Sequence, residues 1–142
     1  MIIIISVGKV TTKGLKESMQ HYLKQMKHID IIEIKESNLN EEAQKIIKHI
    51  KPDDHVMTLE IEGDLMSSET LSQYIDDKQQ HVRGNILFII GGHEGLGEEV
   101  KALSKKKISL SKMTFPHQIA RLMLIEQLYR AHKIQSHHPY HK

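Results

Sequence analysis

A glycine-rich segment, residues 89–97, follows an apolar run and is the first place in this sequence where a ligand could bind. In parallel α/β sheets, ligands bind beyond the carboxyl ends of the strands, and glycine lets the backbone approach them closely. The spacing of Gly92, Gly95 and Gly97 differs from the dinucleotide fingerprint, and no Lys-Ser or Lys-Thr pair follows as in a phosphate-binding loop. The segment is therefore either a ligand-binding loop or a tight structural turn.

Residues 110–118 form a second candidate segment, because a short apolar run leads through a loop into a helix at Pro116. Thr114 can cap that helix, and free backbone N–H groups at a helix start suit an anionic or polar ligand. Met113 and Phe115 could flank an aromatic ring such as adenine. A plain helix entry is the structural alternative.

A third segment, residues 59–63, ends another apolar run and is followed by Ser67, Ser68 and Glu69. Either serine can cap the next helix, with the glutamate in its first turn. Taken locally, a strand end followed by a capped helix explains these residue types better than a ligand site does.

The end of the chain, residues 136–142, carries His137, His138 and His141. No carboxylate or thiolate accompanies these histidines, and the chain has no cysteine. We therefore expect no metal site and no disulfide.

Charge is distributed unevenly along the chain. Residues 1–100 carry 11 Lys/Arg and 17 Asp/Glu, whereas residues 101–142 carry 9 Lys/Arg and a single acid, Glu126. This asymmetry fits a polyanionic partner such as nucleic acid, or simply a solvated basic face.

These segments must be positioned by an α/β fold. Apolar periodicity predicts strands over 2–7, 29–34, 55–61, 85–90 and 108–110, and helices over 13–27, 41–50, 68–81, 97–104 and 116–134. Alternation of strands and helices indicates a mostly parallel sheet with helices on both faces, and the length suits one domain, 1–142. No apolar stretch reaches membrane length, so we expect a cytoplasmic protein without a membrane partner.

The predicted helix 116–134 is apolar on nearly every side. A helix of this kind is buried all round, and in a small domain a second subunit is the simplest cover for its remaining face. We therefore expect a homodimer that forms through this helix.

Taken together, the segments resemble the large-subunit ribosomal RNA methyltransferase H family of the SPOUT superfamily. The matching blocks are 59–63, 67–69, 89–95, 110–118, 124–131 and 139–142, together with Arg121. The resemblance extends in order over essentially the whole chain. It implies a C-terminal trefoil knot, a homodimer, and methyl transfer from S-adenosylmethionine to N3 of a pseudouridine in 23S ribosomal RNA, at position 1915 in helix 69.

The resemblance also implies roles for individual residues. The residues expected to bind S-adenosylmethionine are Leu59, Gly91, Leu110, Ser111, Lys112, Met113, Thr114 and Phe115. Tyr140 and His141 are expected at the target base as catalytic residues, on the same protomer's cofactor or on the dimer partner's. Arg121, Arg130 and Lys142 are expected to bind the RNA substrate, although Arg130 could instead form a simple helical ion pair with Glu126.

Two departures from the family pattern affect these expectations. The stretch between Lys35 and Ala43 is shorter than in the family, and position 137 is His where relatives tend to carry Gly or Asn. If position 137 requires a positive φ, His is a less comfortable residue there. The competing interpretations are a non-catalytic RNA-binding module of the same fold and a nucleotide-dependent oxidoreductase, and the glycine spacing argues against the second.

Overall fold

The structure is a computed structural model that describes residues 1–141. In chain order, its elements are β1 (Ile2–Val7), α1 (Lys13–Leu23), β2 (Ile29–Ile34), α2 (Leu39–Ile47), β3 (His55–Leu65), α3 (Ser68–His81), β4 (Ile86–Ile90), α4 (Glu98–Ala102), β5 (Lys106–Ser109) and α5 (His117–Gln135). The strict alternation of strands and helices expected from the sequence is confirmed.

The five strands form one sheet in the order β2-β1-β4-β3-β5, and every pair is parallel. One face of the sheet packs against α1, α3 and α5, where Phe88 and Leu124 are fully buried. The other face packs against α2 and α4 through residues such as Ala43 and Val100. The predicted parallel α/β sheet with helices on both faces is thus confirmed.

Several element bounds differ from the sequence-based prediction. The helix expected to extend to residue 27 ends at Leu23. The second helix starts at Leu39, earlier than expected, because the side chain of Asn38 accepts a hydrogen bond from the backbone N–H of Glu41 at 2.9 Å and caps it. The last helix starts at His117 after Pro116, without a side-chain cap, so the expected cap by Thr114 is wrong.

Strand β3 is longer than expected because it pairs with β5 twice. Leu59 is in register with Ile108, the pairing then shifts, and Asp64 is in register with the same Ile108. The intervening residues bulge out, and at Gly63 a Cβ atom would lie 2.7 Å from the backbone carbon of Ile108. A side chain at this position would push the two strands apart.

The long helix α5 lies between α1 and α3 on one face of the sheet. Leu124, Ile125 and Leu128 are buried within the protomer, which accounts for much of the helix's apolar character. The predicted passage of the C-terminal segment through a trefoil knot stays a prediction, as does the single-domain organisation over 1–142.

Replacing Gly63 with Ala should lower the free energy of unfolding by about 1–3 kcal/mol, because the new Cβ overpacks the backbone of β5. Thermal or urea unfolding measures the change. Gly14→Ala is the matched control, since a Cβ there meets nothing within 4 Å. The control should be neutral or up to about 1 kcal/mol more stable. Equal stability of the two variants would contradict the close β3–β5 approach.

Candidate active site

Three segments that are distant in the sequence line a cavity of about 720 Å³, where β4 and β5 end and β3 bulges away from β5. They are residues 59–61, 90–95 and 109–117, and Ala120 of α5 closes one side. Cavities that hold small molecules in proteins are of this size, and in open α/β sheets they lie at this edge. The arrangement is therefore a candidate ligand site.

Most of the residues expected to bind the cofactor border this cavity. Seven of the eight are among its lining residues: Leu59, Gly91, Leu110, Ser111, Met113, Thr114 and Phe115. The eighth, Lys112, is exposed and is not among the lining residues. The geometry thus brings together a set of residues whose common location could not be derived from local sequence patterns.

The loops around the cavity are shaped by short-range hydrogen bonds. The N–H of Gly95 donates to the carbonyl of Gly92 at 3.1 Å, which closes the glycine turn. The Ser109 hydroxyl donates to the carbonyl of Ser111 at 2.8 Å, and the Ser111 hydroxyl accepts from the N–H of Met113 at 3.0 Å. Backbone and hydroxyl groups therefore form much of the polar surface of the cavity.

Glycine is required at position 91 for a steric reason. A Cβ on Gly91 would lie 2.4 Å from the carbonyl oxygen of Gly95, so a larger residue would open the turn and deform the cavity wall. The segment is thus a tight turn that lines the cavity, and ligand binding by it stays a prediction.

Apolar side chains and polar loop groups line the cavity together, and this combination suits a nucleoside. Apolar side chains such as Leu59, Ile61 and Phe115 can pack against a base. His117 also lines the cavity, and its Nε2 atom is buried without a hydrogen-bond partner. That atom lies against Gly8, where an added Cβ would be 3.0 Å away from it. At the opposite wall, the absence of a side chain at Gly91 keeps the backbone of the turn close to the cavity. The residues present therefore fit S-adenosylmethionine, the methyl donor implied by the resemblance.

Ten lining residues were not among the predicted cofactor-binding residues: Glu60, Ile61, Ile90, Gly92, His93, Gly95, Ser109, Pro116, His117 and Ala120. All of them except Ser109 and Ala120 belong to the three candidate segments, so a signal was present in the sequence. Ala120 carries no chemical signal in the sequence.

The start of α5 is fixed against the ends of β1 and β2 by polar contacts. The Arg121 guanidinium donates to Glu33 at 2.6 Å and to the carbonyl of Gly8 at 3.5 Å. Gln118 binds Thr11 through two contacts of 3.0 and 3.3 Å. Arg121 is buried and borders a second cavity of about 410 Å³ between α1 and β2. Its position gives it an ion pair within the protomer, and its predicted contact with RNA phosphate stays a prediction.

The chain turns back along α5 at His137, which has a φ of 56°. The N–H of His137 donates to the carbonyl of Ile134 at 3.0 Å, and that of His138 to Lys133 at 2.8 Å. This is the Schellman arrangement, in which glycine is the favoured residue at the position of positive φ. Position 137 therefore has the positive φ at which His is a less comfortable residue than Gly or Asn.

Beyond this turn, residues 138–141, the described part of the C-terminal tail, pack onto α5 through Tyr140 and His141. The Tyr140 hydroxyl donates to Glu126 at 3.0 Å, and the Tyr140 ring meets the Tyr129 ring edge-on at 4.8 Å. Arg130 donates to Nδ1 of His141 at 3.0 Å. Burial and the hydrogen bonds of the Tyr140 hydroxyl to Tyr22 and Glu126 raise the pKa of Tyr140 well above its usual value, so it remains protonated.

Within one protomer, the tail and the cavity are apart. The cavity reaches α5 at Ala120, whereas Tyr140 contacts Glu126, which lies roughly 9 Å further along the helix. Arg130 pairs with Glu126 at 2.6 Å, as the helical ion-pair alternative expects, and also contacts the tail. Lys142 lies outside the described residues.

None of the helices in residues 1–141 combines the length and the apolar content needed to cross a bilayer. Over the same residues, no group of three or more histidine or acidic side chains is placed to hold a metal ion.

The chain matches, over residues 1–141, a family model described as "Predicted SPOUT methyltransferase". The "Ribosomal RNA large subunit methyltransferase H" of Acholeplasma laidlawii is 44% identical over 143 residues, covering 98% of this chain and 97% of the relative. The protein of the same name from Bacillus pumilus is 41% identical over 157 residues, covering 99% of each chain. That alignment is longer than the 142 residues of this chain, in agreement with an expected deletion relative to the family.

Among solved structures, the chain is similar to "a probable methylase family protein from Haemophilus influenzae Rd KW20". The TM-score is 0.61 at 14% identity, and the match covers 99% of this chain and 70% of that one. At this identity, the likeness concerns the fold alone.

Replacing Glu33 with Gln should lower the free energy of unfolding by about 1–3 kcal/mol, because the buried guanidinium of Arg121 loses its anionic partner. Urea unfolding measures the change. Glu17→Gln is the control, since the contact between Glu17 and Lys13 is 3.9 Å long and largely exposed. The control should show no measurable change. Equal free energies of unfolding in the two variants would mean that the ion pair between Arg121 and Glu33 does not stabilise the position of α5.

Proposed function

The chain belongs to the SPOUT methyltransferase family and, within it, to the large-subunit ribosomal RNA methyltransferase H family, and on this premise we propose that it methylates 23S ribosomal RNA in the cytoplasm. The proposed reaction transfers the methyl group of S-adenosylmethionine to N3 of a pseudouridine in helix 69, without a metal ion. The observation that carries the proposal is the convergence of three distant loop segments on one cavity at the carboxyl edge of the sheet.

The proposed cofactor site is the cavity of about 720 Å³. S-adenosylmethionine supplies an electrophilic methyl group on a sulfonium sulfur when it is bound. Segments 59–61 and 110–115 provide the apolar walls and polar loop groups that hold its base and sugar, and the turn at Gly91 and Gly95 closes the other side. Holding the methyl donor in one orientation lowers the barrier to in-line transfer.

The acceptor nitrogen N3 carries a proton that must leave before or during transfer. In this proposal, His141 accepts or relays that proton, and Tyr140 stacks on or orients the base. Positive side chains stabilise the developing anion and bind the phosphates of the RNA. These are Arg121, Arg130, Lys112 and Lys142.

Because the tail and the cavity of one protomer are separated, the proposal requires a homodimer in which each tail serves the partner's cavity. The outer side of α5 carries Ile119, Leu122 and Met123, which are only partly buried in the protomer. Burial of these side chains against a second subunit would favour a dimer that forms through α5. The tail would then lie beside the neighbouring cofactor site.

A second candidate function is an RNA-binding module that has lost catalysis. The basic C-terminal third of the sequence fits such a module as well as it fits the enzyme. The module, however, would not bind the methyl donor. Calorimetry with S-adenosylmethionine or S-adenosylhomocysteine separates the two candidates, and NADH serves as the test of an oxidoreductase.

Ribosomes that lack the helix 69 modification should accept one labelled methyl group per large subunit from S-adenosylmethionine when this protein is present. Mapping the labelled nucleotide identifies the target. Gly91→Val is the matched inactive variant, because its side chain would collide with the Gly95 carbonyl. Methylation at another nucleotide would refute the proposed specificity, and no cofactor binding would refute the enzyme.

Deleting residues 137–142 should abolish methyl transfer and leave the affinity for S-adenosylhomocysteine within about twofold, because the tail is assigned to proton transfer and residues 137–141 do not line the cavity. Single-turnover transfer and calorimetry measure the two effects. The control mixes the truncated protein with Gly91→Val. Mixed dimers should regain part of the activity, because one intact cavity then meets one intact tail. Full activity of the truncated protein alone would eliminate the role of the tail.

A further inference from the structure

We propose that Glu69, at the start of α3, is a positioning residue that holds the imidazole of His141 in the orientation and tautomer needed to take the acceptor's proton. The inference rests on the proposed function and deepens it. It concerns a residue that the sequence explains only as an acid in the first turn of a helix.

Both ring nitrogens of His141 have partners in the docked tail. Arg130 lies 3.0 Å from Nδ1, and Glu69 contacts Nε2. A guanidinium can only donate hydrogen bonds, so Nδ1 must accept and carries no proton. Nε2 then bears the N–H, and it donates to the Glu69 carboxylate. Two opposite partners thus define one tautomer and one ring orientation.

The two partners are themselves held in place. Glu126 accepts two hydrogen bonds from Arg130, at 2.6 and 3.0 Å, which fix the guanidinium. The start of α3 is tied to α5 because the Ser68 hydroxyl donates to Gln127 at 2.6 Å. The hydrogen bond with His141 also lowers the pKa of Glu69, in agreement with a carboxylate that faces the N–H of the ring.

This arrangement determines which atom can take a proton. When the target base displaces Arg130 from Nδ1, the freed lone pair of that nitrogen can accept the N3 proton. The N3–H bond breaks, an N–H bond forms at Nδ1, and the electron pair stays on N3, which becomes the nucleophile. The Glu69 carboxylate then faces the imidazolium and stabilises it, as the carboxylate does in a His–Asp pair.

The other charged or titratable groups that face the tail do not replace Glu69. Glu126 already accepts hydrogen bonds from Arg130 and from the Tyr140 hydroxyl. Tyr22 contacts the Tyr140 hydroxyl. Without Glu69, Arg130 still keeps Nδ1 unprotonated in the docked tail. Once the target base displaces Arg130, however, no partner holds the ring orientation or keeps the proton on Nε2.

The experiment compares Glu69→Ala, Glu69→Gln and the control Glu41→Ala in full-length protein. Glu41 is also an exposed acid in the first turn of a helix, so it matches the effect of Glu69 on the helix dipole. We expect Glu69→Ala to lower kcat by about 10- to 100-fold, with KM for ribosomes and the affinity for S-adenosylhomocysteine within about twofold. Glu69→Gln keeps an acceptor oxygen for Nε2–H and should recover most of the activity.

The second readout is independent of activity. Nitrogen-15 NMR of the imidazole should show an Nε2–H group of His141 that is hydrogen-bonded to a carboxylate in the wild type and in Glu41→Ala. In Glu69→Ala, the Nε2–H signal should shift clearly because its acceptor is lost. Normal kcat in Glu69→Ala, or an unchanged His141 spectrum, would overturn the positioning role. Parallel loss of cofactor affinity would also overturn it, because that result indicates a purely structural residue. A wild type that binds the cofactor but methylates no RNA would instead overturn the proposed function.

Discussion

The return of the chain from the edge strand β5 to the far side of the sheet is the constraint on which the rest of the structure depends. Residues 110–116 pass residues 59–61 of β3 and the carboxyl end of β4, and α5 then begins beside β1 and β2, where Arg121 pairs with Glu33. Because both ends of this crossing are anchored, the loop is held over the ends of the strands. The cavity is the space that remains between the loop and the sheet.

The same crossing separates the place proposed for binding the methyl donor from the place proposed for proton transfer. Loop groups and apolar walls beside the sheet can bind a methyl donor, whereas the titratable side chains lie further along α5. Arg130 connects the ion pair with Glu126 to the ring of His141, and Glu69 completes the contact from α3. Such a network controls the tautomer of one histidine, and the proposed dimer brings that histidine to a cofactor.

Local patterns in the sequence predicted a large part of the fold. Strands 2–7 and 29–34 and helix 68–81 have the expected bounds, because their periodicity and the Ser67 cap are local signals. The extension of β3 was not predictable, since polar residues around Gly63 resemble a turn until β5 is placed beside them. The cavity residues followed from a family resemblance. The contact between Glu69 and His141, 72 residues apart, has no local signal.

The most direct test of the central claim is a titration of nitrogen-15-labelled protein with S-adenosylhomocysteine, followed through backbone amide shifts. A single shared cavity predicts that amides in 59–61, 91–95 and 109–115 shift together and fit one dissociation constant. Amides along α1, beside the second cavity, should then stay unchanged. Shifts confined to one segment, or segments that fit different constants, would contradict the convergence of the three loops on one ligand.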